Sequence, residues 1–371
     1  MNSSPGIRRV LVAGCCGTLL GVGLQRFAYA PLLPAMVIAG WLGPGAAGAL
    51  GGANLAAYLL GALAAPRLTQ AVGLRPVLRG CMAVVSVCFA ACAWPGGPVW
   101  FLPWRMLTGI AGGGLMVLAG PAVQAVVPPD RRGVAVGATF AGVGLGIVAG
   151  AVLVPAVLPA GLPATWLALA AAGAMLTALT WRWWPDAPPP QRRSVRGHGA
   201  ARLIACYALA AVAAAPHMLW WPDFVARGLG APRLASATWL AYGIAAACGP
   251  AVCGRAADRY GARQALLGGL SVQVVALAMP LAADGPAFLL ASAMLAGGTA
   301  IGITALALTR AKEVAGEAAP AVWQVCTAAF GAAQAMAGFG LAALYAATGS
   351  HLPLFAVGLA AAVLAWGFGR N

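Results

Sequence analysis

Long apolar stretches, separated by short connections rich in charge, glycine or proline, run along nearly the whole chain. A helix of about 20 apolar residues crosses the ~30 Å hydrocarbon core of a bilayer. We therefore predict twelve membrane-spanning helices, called spans 1 to 12, with approximate bounds 10–37, 46–64, 76–94, 99–126, 134–157, 164–183, 202–225, 235–254, 264–283, 286–309, 320–346 and 351–369. At ~20 residues each they use about 240 residues, which leaves no room for a soluble catalytic domain.

Basic residues are concentrated in alternate connections. If the N-terminus is cytoplasmic, 18 of the 22 Lys and Arg residues lie on the cytoplasmic side. Only Arg227 and Arg233 lie on the opposite side, and Arg26 and Arg105 fall inside spans. Cytoplasmic connections of membrane proteins carry an excess of Lys and Arg. We predict a multi-pass protein of a bacterial inner (cytoplasmic) membrane with both termini in the cytoplasm.

Composition and charge agree with a membrane protein. Of the 371 residues, 62% are hydrophobic and 8% are charged, whereas soluble domains carry about 25% charged residues. This deficit excludes an ordinary soluble enzyme, a secreted domain and a disordered chain. The formal net charge is +15, and basic membrane connections account for it without a nucleic-acid partner.

Several common catalytic and metal-binding motifs are absent from the sequence. The nine cysteines lie in apolar runs without metal-ligand or disulfide spacing. No P-loop, dinucleotide-binding fingerprint or HExxH motif occurs. A lipid-linked glycosyltransferase would need acidic residues in long outer connections, and these connections are short and nearly uncharged. We predict no enzyme activity, no cofactor and no metal site.

The longest polar stretch, RWWPDAPPPQRRSVRGHGAA at residues 182–201, lies midway along the chain. Its charges would be unpaired in hydrocarbon, so it cannot be embedded in the membrane. We predict an N-terminal six-helix bundle at 1–184, a cytoplasmic linker at 185–201 and a C-terminal six-helix bundle at 202–371.

The two halves share a feature after their second spans. A Gly-x-Arg sequence occurs at Gly73 and Arg75 in the first half and at Gly261 and Arg263 in the second. Parallel six-helix repeats are the internal symmetry of one large class of transporters. The repeat therefore favours a transporter.

The connection after span 8 carries the most specific motif. Its G-x-x-x-D-R-x-G-x-R pattern resembles the loop motif of the major facilitator superfamily and comprises Gly254, Asp258, Arg259, Gly261 and Arg263.

Other segments extend the resemblance over the chain. In span 4, Arg105, Gly109 and Gly113 resemble the R-x-x-x-G helix motif of the superfamily. RFAYAPLLP at 26–34 and TAAFGAAQAMAG at 327–338 are similar to the YbfB/YjiJ-type branch. The resemblance implies an all-α integral membrane protein with twelve transmembrane helices in two pseudo-symmetric six-helix bundles.

The resemblance also implies a gate. Asp258 would face the cytoplasmic start of span 5, where Arg131, Arg132 and the helix dipole supply positive charge. Such a latch would hold in one transport state and break in the other. The alternative is that these are solvated loop charges. In the first half, Gln70 and Pro66 occupy the Asp and Gly positions, so the matching latch is weakened or absent.

Arg26 is the candidate substrate ligand. It lies in the middle of span 1, where an arginine costs at least ~2.5–3.5 kcal/mol on insertion scales, and Tyr29 follows at i+3. It either holds an anionic substrate group or is a structural arginine. Arg105 lies nearer the membrane surface, where its side chain could snorkel, and Gly109 and Gly113 allow close helix packing.

Span 7 contains His217 and Trp220. Either His217 or Asp223 is a proton-coupling group, or both are satisfied polar residues, with Asp223 paired with Arg227 at i+4. The resemblance implies that spans 1, 4, 7 and 10 line the transport pathway. We therefore predict that the substrate contacts Arg26, Tyr29, Gln124, His217, Trp220 and Thr299.

These observations predict a secondary active transporter that moves a small organic solute by alternating access. An anionic or neutral solute is favoured over a cation because the spans contain a buried arginine and no central acid. Proton-driven multidrug or metabolite efflux is the alternative among carriers, and a transport-inactive sensor or scaffold is the alternative of another class. The expected partners are the solute, protons and the lipid bilayer, and we expect a monomer.

Overall fold

A computed structural model describes residues 5–186 and 198–370 of the protein. No β-strand occurs in these two ranges. Apolar segments in lipid must satisfy their backbone groups internally, which favours helices. The long helices are span 1 (Pro5–Thr18, π-helical Leu19–Phe27 and Tyr29–Ile38), span 2 (Pro44–Val72), span 3 (Leu74–Ala91), span 4 (Gly97–Gln124), span 5 (Arg132–Val157), span 6 (Leu162–Thr180), span 7 (His198–Ala215, π-helical Pro216–Trp220, Trp221–Asp223 and π-helical Phe224–Gly228), span 8 (Pro232–Tyr260), span 9 (Ala262–Ala282), span 10 (Pro286–Ala315), span 11 (Ala319–Thr348) and span 12 (Leu352–Arg370).

The number of membrane crossings follows from the lengths of these helices. Eleven stretches of the described chain are long and apolar enough to cross a membrane, and one of them, residues 286–348, is 63 residues long. A single helix of that length would measure about 95 Å, roughly three bilayer cores. The stretch contains spans 10 and 11, joined by the 3-10 turn Gly316–Ala318. The prediction of an all-α chain with twelve spans is confirmed.

The described residues fall into two compact units. Unit 1 draws on Met1–Pro128 and Ala138–Gln191, and unit 2 on Pro129–Gly137 and Arg192–Asn371. The start of span 5 thus groups with unit 2, which the predicted division of the chain did not anticipate.

The predicted linker 185–201 falls largely outside the described residues, which do not include 187–197. Span 7 already begins at His198, inside the predicted linker. The division into two bundles and a linker stays a prediction.

Each unit contains the same close helix crossing. In unit 1, a Cβ atom added to Gly113 of span 4 would overlap with the carbonyl oxygen of Tyr58 in span 2. In unit 2, a Cβ atom on Gly297 of span 10 would overlap with the carbonyl oxygen of Tyr242 in span 8. Both residues of the second pair lie 184 positions after those of the first. The internal repeat predicted from the Gly-x-Arg sequences therefore extends to the packing of the helices.

Spans 2 and 8 are longer than their apolar stretches. Span 8 was predicted to end at 254 and continues to Tyr260, so most of the motif lies on a helix and not in a loop. Only Gly261, at φ 86°, separates it from span 9, and Gly73, at φ 90°, separates span 2 from span 3. Left-handed φ values of this kind are readily adopted only by glycine.

Span 1 departs from α-helical geometry where its chemistry is concentrated. Leu19–Phe27 is π-helical, and Tyr29 begins a new α-helical segment. A π-helix bonds residue i to i+5 and has a wider turn. The i+3 argument that placed Arg26 and Tyr29 on one face therefore does not apply across this junction.

Candidate functional site

A buried polar network joins spans 1, 2 and 4 of unit 1. Its centre is Asn54, whose Nδ2 donates to Gln25 Oε1 at 3.0 Å, to the Arg105 carbonyl at 2.8 Å and to Thr108 Oγ1 at 3.1 Å. Thr108 Oγ1 also donates to the Arg105 carbonyl at 2.9 Å. All four residues are at most 2% exposed. Hydrogen bonds in such an apolar interior hold the three spans in one register.

Arg105 is part of this network and does not snorkel. It is 2% exposed, its Nη1 donates to the Gln25 carbonyl at 2.9 Å, and its guanidinium lies 4.2 Å from the centre of the Tyr29 ring. The surface-directed side chain that the depth of Arg105 in the span would allow is not observed. Gly109 and Gly113 follow at i+4 and i+8, on the face that packs against span 2. That face directs Arg105 inward.

No carboxylate balances the charge of Arg105 within unit 1. Among the seven acidic residues of the chain, only Asp186 falls in unit 1. Its side chain is 79% exposed and lies 3.5 Å from Arg75. Arg105 Nε and Gln25 Nε2 are buried and have no hydrogen-bond partner among the described residues. The network therefore holds a positive charge and two unused donor nitrogens, a combination that suits an anionic acceptor.

Arg26 adjoins this network. It lies in the π-helical segment, is partly exposed, and its guanidinium is 5.6 Å from the Phe27 ring centre. The guanidinium of Arg26 also interacts electrostatically with the hydroxyl group of Tyr58. Arg105 holds the Gln25 carbonyl, which belongs to the peptide bond that leads into Arg26. Arg105 thus fixes the backbone from which Arg26 projects.

His217 is packed inside unit 2. It is 1% exposed, its ring stacks on Trp221 at 4.7 Å, and its Nε2 lies 2.9 Å from Ser292 Oγ. Ser292 uses its only hydroxyl proton on the Ala276 carbonyl at 2.7 Å. His217 Nε2 must therefore be the donor to Ser292.

The remaining predicted substrate residues do not belong to the hydrogen-bond network of unit 1. Gln124 is the last residue of span 4, about 28 Å along the helix from Arg105. Thr299 donates its hydroxyl to the Leu295 carbonyl of its own helix at 2.8 Å. Trp220 packs at 5.1 Å on Tyr345.

Asp223 forms the pair with Arg227 that the i+4 spacing predicts, through Arg227 Nη2 and Asp223 Oδ2 at 2.7 Å. Asp223 also has a second partner that was not predicted. His351 Nε2 lies 2.8 Å from the same oxygen. Both contacts lie at one end of span 7.

Of the predicted substrate residues, the structure brings Arg26 and Tyr29 to the unit 1 network. Gln25 and Thr108 were not identified from the sequence, and Asn54 was only one of several polar residues within spans. Thr108 could have been found from its i+3 spacing to Arg105. Gln25 had no comparable signal.

Asp258 caps the first turn of span 5. Its Oδ1 accepts from the Gly133 amide at 2.9 Å and its Oδ2 from the Val134 amide at 3.0 Å. A Cβ atom on Gly133 would overlap with Asp258 Oδ1, and one on Gly254 would overlap with the Gly133 carbonyl. Both glycines therefore permit this approach.

Asp258 was expected to meet both the charges of Arg131 and Arg132 and the dipole at the start of span 5. Among the described residues Asp258 forms no ion pair, and its partners are backbone amides. The first amides of a helix lack intrahelical acceptors, and a carboxylate satisfies them. Arg131 ends the 3-10 turn Pro129–Arg131, and Arg132 Nε is buried without a hydrogen-bond partner in the described part of the chain.

The rest of the motif lies beside a second helix cap. Arg259 packs at 5.3 Å on the Tyr260 ring, and Arg263 Nη2 donates to the Arg370 carbonyl. Glu313 Oε1 accepts from the Ala262 amide at 2.9 Å at the start of span 9. Sequence reasoning did not identify Glu313.

We expect Asp258→Ala to raise hydrogen–deuterium exchange at the Gly133 and Val134 amides about tenfold, because a lost cap costs ~1–2 kcal/mol. Asp258→Asn keeps one carbonyl acceptor and should give an intermediate rate. Mass spectrometry of peptides from the start of span 5 measures the effect, and Asp284→Ala, an exposed loop variant, is the control. Equal exchange in the Asp258 and Asp284 variants would contradict the cap.

Solved structures with the same fold include two transporters. The human organic anion transporter MFSD10 (TETRAN) superposes with a TM-score of 0.79 at 18% identity and covers 99% of this chain and 100% of its own. The MFS (major facilitator superfamily) proton:xylose symporter XylE, bound to 6-bromo-6-deoxy-D-glucose, also superposes with a TM-score of 0.79, at 16% identity. That match covers 98% of this chain and 95% of the XylE chain. At these identities the likeness establishes the fold alone.

Sequence comparison establishes the family. A search of curated protein sequences finds no match. A family model described as "Uncharacterised MFS-type transporter YbfB" matches residues 18–369, nearly the whole chain, as the motifs in spans 1 and 11 predicted. The chain belongs to this YbfB-type family of major facilitator superfamily transporters, a class of multi-pass membrane carriers and not of enzymes.

Proposed function

We propose that this secondary transporter carries a small organic anion and that the positive charge inside unit 1 selects it. The observation that supports the proposal is the environment of Arg105, which is 2% exposed and has no carboxylate partner among the described residues. A charge within a membrane span is costly, ~2.5–3.5 kcal/mol on insertion scales. A substrate anion would lower that cost by pairing with the positive potential of the network.

Arg26 is the proposed substrate ligand, because it combines a mid-span position with partial exposure. Arg105 is the proposed positioning residue, since it holds the carbonyl that precedes Arg26 and stacks on Tyr29. A guanidinium binds a carboxylate or phosphate through two parallel hydrogen bonds. We therefore expect a substrate that carries one such group.

The Asp258 cap is the proposed gate element. Alternating access requires contacts that form in one state and break in another, and a carboxylate on two helix N-terminal amides is a small, reversible contact of this kind. The first half has Gln70 at the corresponding position, so we propose that the two halves are not gated identically.

The test of the proposal is uptake by purified protein in liposomes across a panel of radiolabelled solutes. The panel holds mono- and dicarboxylates, sugar phosphates, neutral sugars and organic cations of similar size. We expect uptake of at least one anion and competition among anions only. Uptake restricted to neutral sugars or cations would refute the anion proposal, and absence of flux for any solute would favour the sensor or scaffold.

Proton-driven efflux remains the second candidate because His217 is a titratable group buried within span 7. A proton gradient imposed on the same liposomes distinguishes it. Efflux coupling predicts that His217→Asn removes the response to the gradient. An unchanged response in His217→Asn would exclude His217 as the coupling group.

For the cell, we propose a monomer in the bacterial inner membrane with both termini and the 185–201 linker in the cytoplasm. The arginine bias of the connections supports this orientation. A cysteine introduced at Ser194 should react with an impermeant maleimide only after permeabilisation. Labelling in intact cells would reverse the assignment.

A further inference from the structure

An open groove lies between spans 3 and 6 of unit 1, on a surface that the network described above does not reach. It has a volume of about 620 Å³, and its walls include Ala83 and Val87 of span 3 and Ala174 and Leu179 of span 6. Val87 is 61% exposed and Leu179 51% exposed. Large apolar side chains exposed on a membrane-spanning helix face lipid tails.

The two hydroxyl groups in this groove do not make it polar. Ser86 Oγ donates to the Met82 carbonyl at 3.0 Å, and Thr177 Oγ1 donates to the Gly173 carbonyl at 2.7 Å. Because both protons are used within their own helices, the wall is suited to a hydrocarbon chain and not to a polar solute.

One end of the groove is basic and aromatic. Trp181 and Arg182 line it, and the guanidinium of Arg79 lies 5.0 Å from the Trp181 ring centre. Arg79 interacts electrostatically with three charged neighbours, namely Arg75, Arg182 and Asp186. Tryptophan beside basic side chains is typical of the level of the lipid headgroups.

The donors at this end are only partly used. Arg75 is committed to the Trp184 carbonyl and to Asp186. Arg79 donates its Nε to the Trp181 carbonyl, whereas its two terminal nitrogens have no partner among the described residues. Arg182 has no hydrogen bond within the described chain. Two guanidinium groups can therefore bind a phosphate here.

The dimensions match one leaflet. From Ala174 to Arg182 the groove follows span 6 for eight residues, about 12 Å. Half of a bilayer core is ~15 Å thick. An acyl chain that lies along the groove therefore places its headgroup at Arg79 and Arg182.

We propose that this groove binds one anionic phospholipid of the phosphatidylglycerol type, with its phosphate on Arg79 and Arg182 and one acyl chain between spans 3 and 6. Charge complementarity selects the anionic lipid over a zwitterionic one. The site is independent of the transported solute.

Native mass spectrometry of the detergent-purified full chain tests the headgroup contact. Phosphatidylglycerol is expected to bind at least ~10-fold more tightly than phosphatidylcholine with the same acyl chains. The double variant Arg79→Gln/Arg182→Gln should reduce this preference about tenfold. The control double variant Arg9→Gln/Arg67→Gln removes the same amount of charge at exposed positions outside the groove. It should leave the preference for phosphatidylglycerol unchanged. Equal loss in both double variants would overturn the site.

The acyl contact needs a variant without a charge change. Ala174→Trp fills the groove and should weaken phosphatidylglycerol binding about fivefold, whereas Met175→Trp, at a 65% exposed neighbour outside the groove, should not. Glycerol phosphate alone should not compete. Effective competition by glycerol phosphate would overturn the proposal in favour of a free phosphate. Detection of a dimer of the unsubstituted protein that Ala174→Trp abolishes would overturn it in favour of a second copy of the chain.

Discussion

Arg26→Ala is expected to lower the initial rate of anion uptake about 100-fold. The reason is that a charge-assisted contact to a substrate anion contributes ~1.5–3 kcal/mol, and 1.4 kcal/mol corresponds to a factor of ten. Arg26→Lys keeps the charge and loses the paired N–H donors, so an intermediate rate, roughly tenfold reduced, is expected. Uptake into proteoliposomes, measured as KM and maximal rate, checks both variants.

Two controls separate binding from folding. Arg233→Ala removes an exposed arginine outside the site and should transport normally. The substrate anion should raise the melting temperature of the natural protein but not that of Arg26→Ala. Wild-type uptake in both Arg26 variants would remove Arg26 from the site.

Arg105 variants refine the same experiment. If Arg105 acts through the Gln25 carbonyl, Arg105→Lys should raise KM less than Arg26→Ala does, because the buried charge is kept. Tyr29→Phe keeps the ring that stacks under Arg105 and should be milder still. An Arg105→Lys variant that loses substrate binding completely while its melting temperature is unchanged would make Arg105 the direct ligand.

Gly113→Ala is expected to have the largest effect on stability. Its Cβ atom would overlap with the Tyr58 carbonyl and lie 2.8 Å from the Ala62 amide nitrogen. Both are backbone atoms, so spans 2 and 4 must separate. Overpacking of this kind costs ~1–3 kcal/mol or more, and separation also weakens the hydrogen bonds of Asn54. We expect a melting temperature many degrees lower and little folded protein on size-exclusion chromatography.

The chain contains well-matched controls for this substitution. Gly80 in span 3 and Gly268 in span 9 have no atom within 4 Å of an added Cβ. Alanine at these helical positions should be neutral or slightly stabilising, because alanine has the higher helix propensity. If the melting temperature of Gly113→Ala equals that of Gly80→Ala, the close crossing is not real.

The repeat gives a second prediction of the same kind. Gly297→Ala should destabilise the protein as Gly113→Ala does, since Gly297 meets the Tyr242 carbonyl as Gly113 meets that of Tyr58. A large effect in one unit and none in the other would show that the two crossings are not equivalent.

The amino-acid sequence alone determined the all-α fold, the twelve spans and the family. These properties depend on local features, because the length of an apolar stretch decides whether it crosses a bilayer and because motifs are spaced along one segment. Gly73 and Gly261 show the limit of local reasoning. The two glycines revealed the internal repeat in the sequence. The sequence did not reveal that span 8 continues to Tyr260, because polar residues at a helix end have no hydropathic signal.

Only the tertiary structure decided how the polar side chains are arranged. By its depth Arg105 could snorkel to the membrane surface, but it is buried, because glycines on its helix face allow span 2 to approach. Tyr29 stacks under Arg105 after a π-helical segment that α-helical spacing could not predict. Asp258 binds backbone amides and not arginine side chains. The direction of a side chain around a helix, and the partner that it meets, depend on packing between segments distant in sequence, and hydropathy does not encode them.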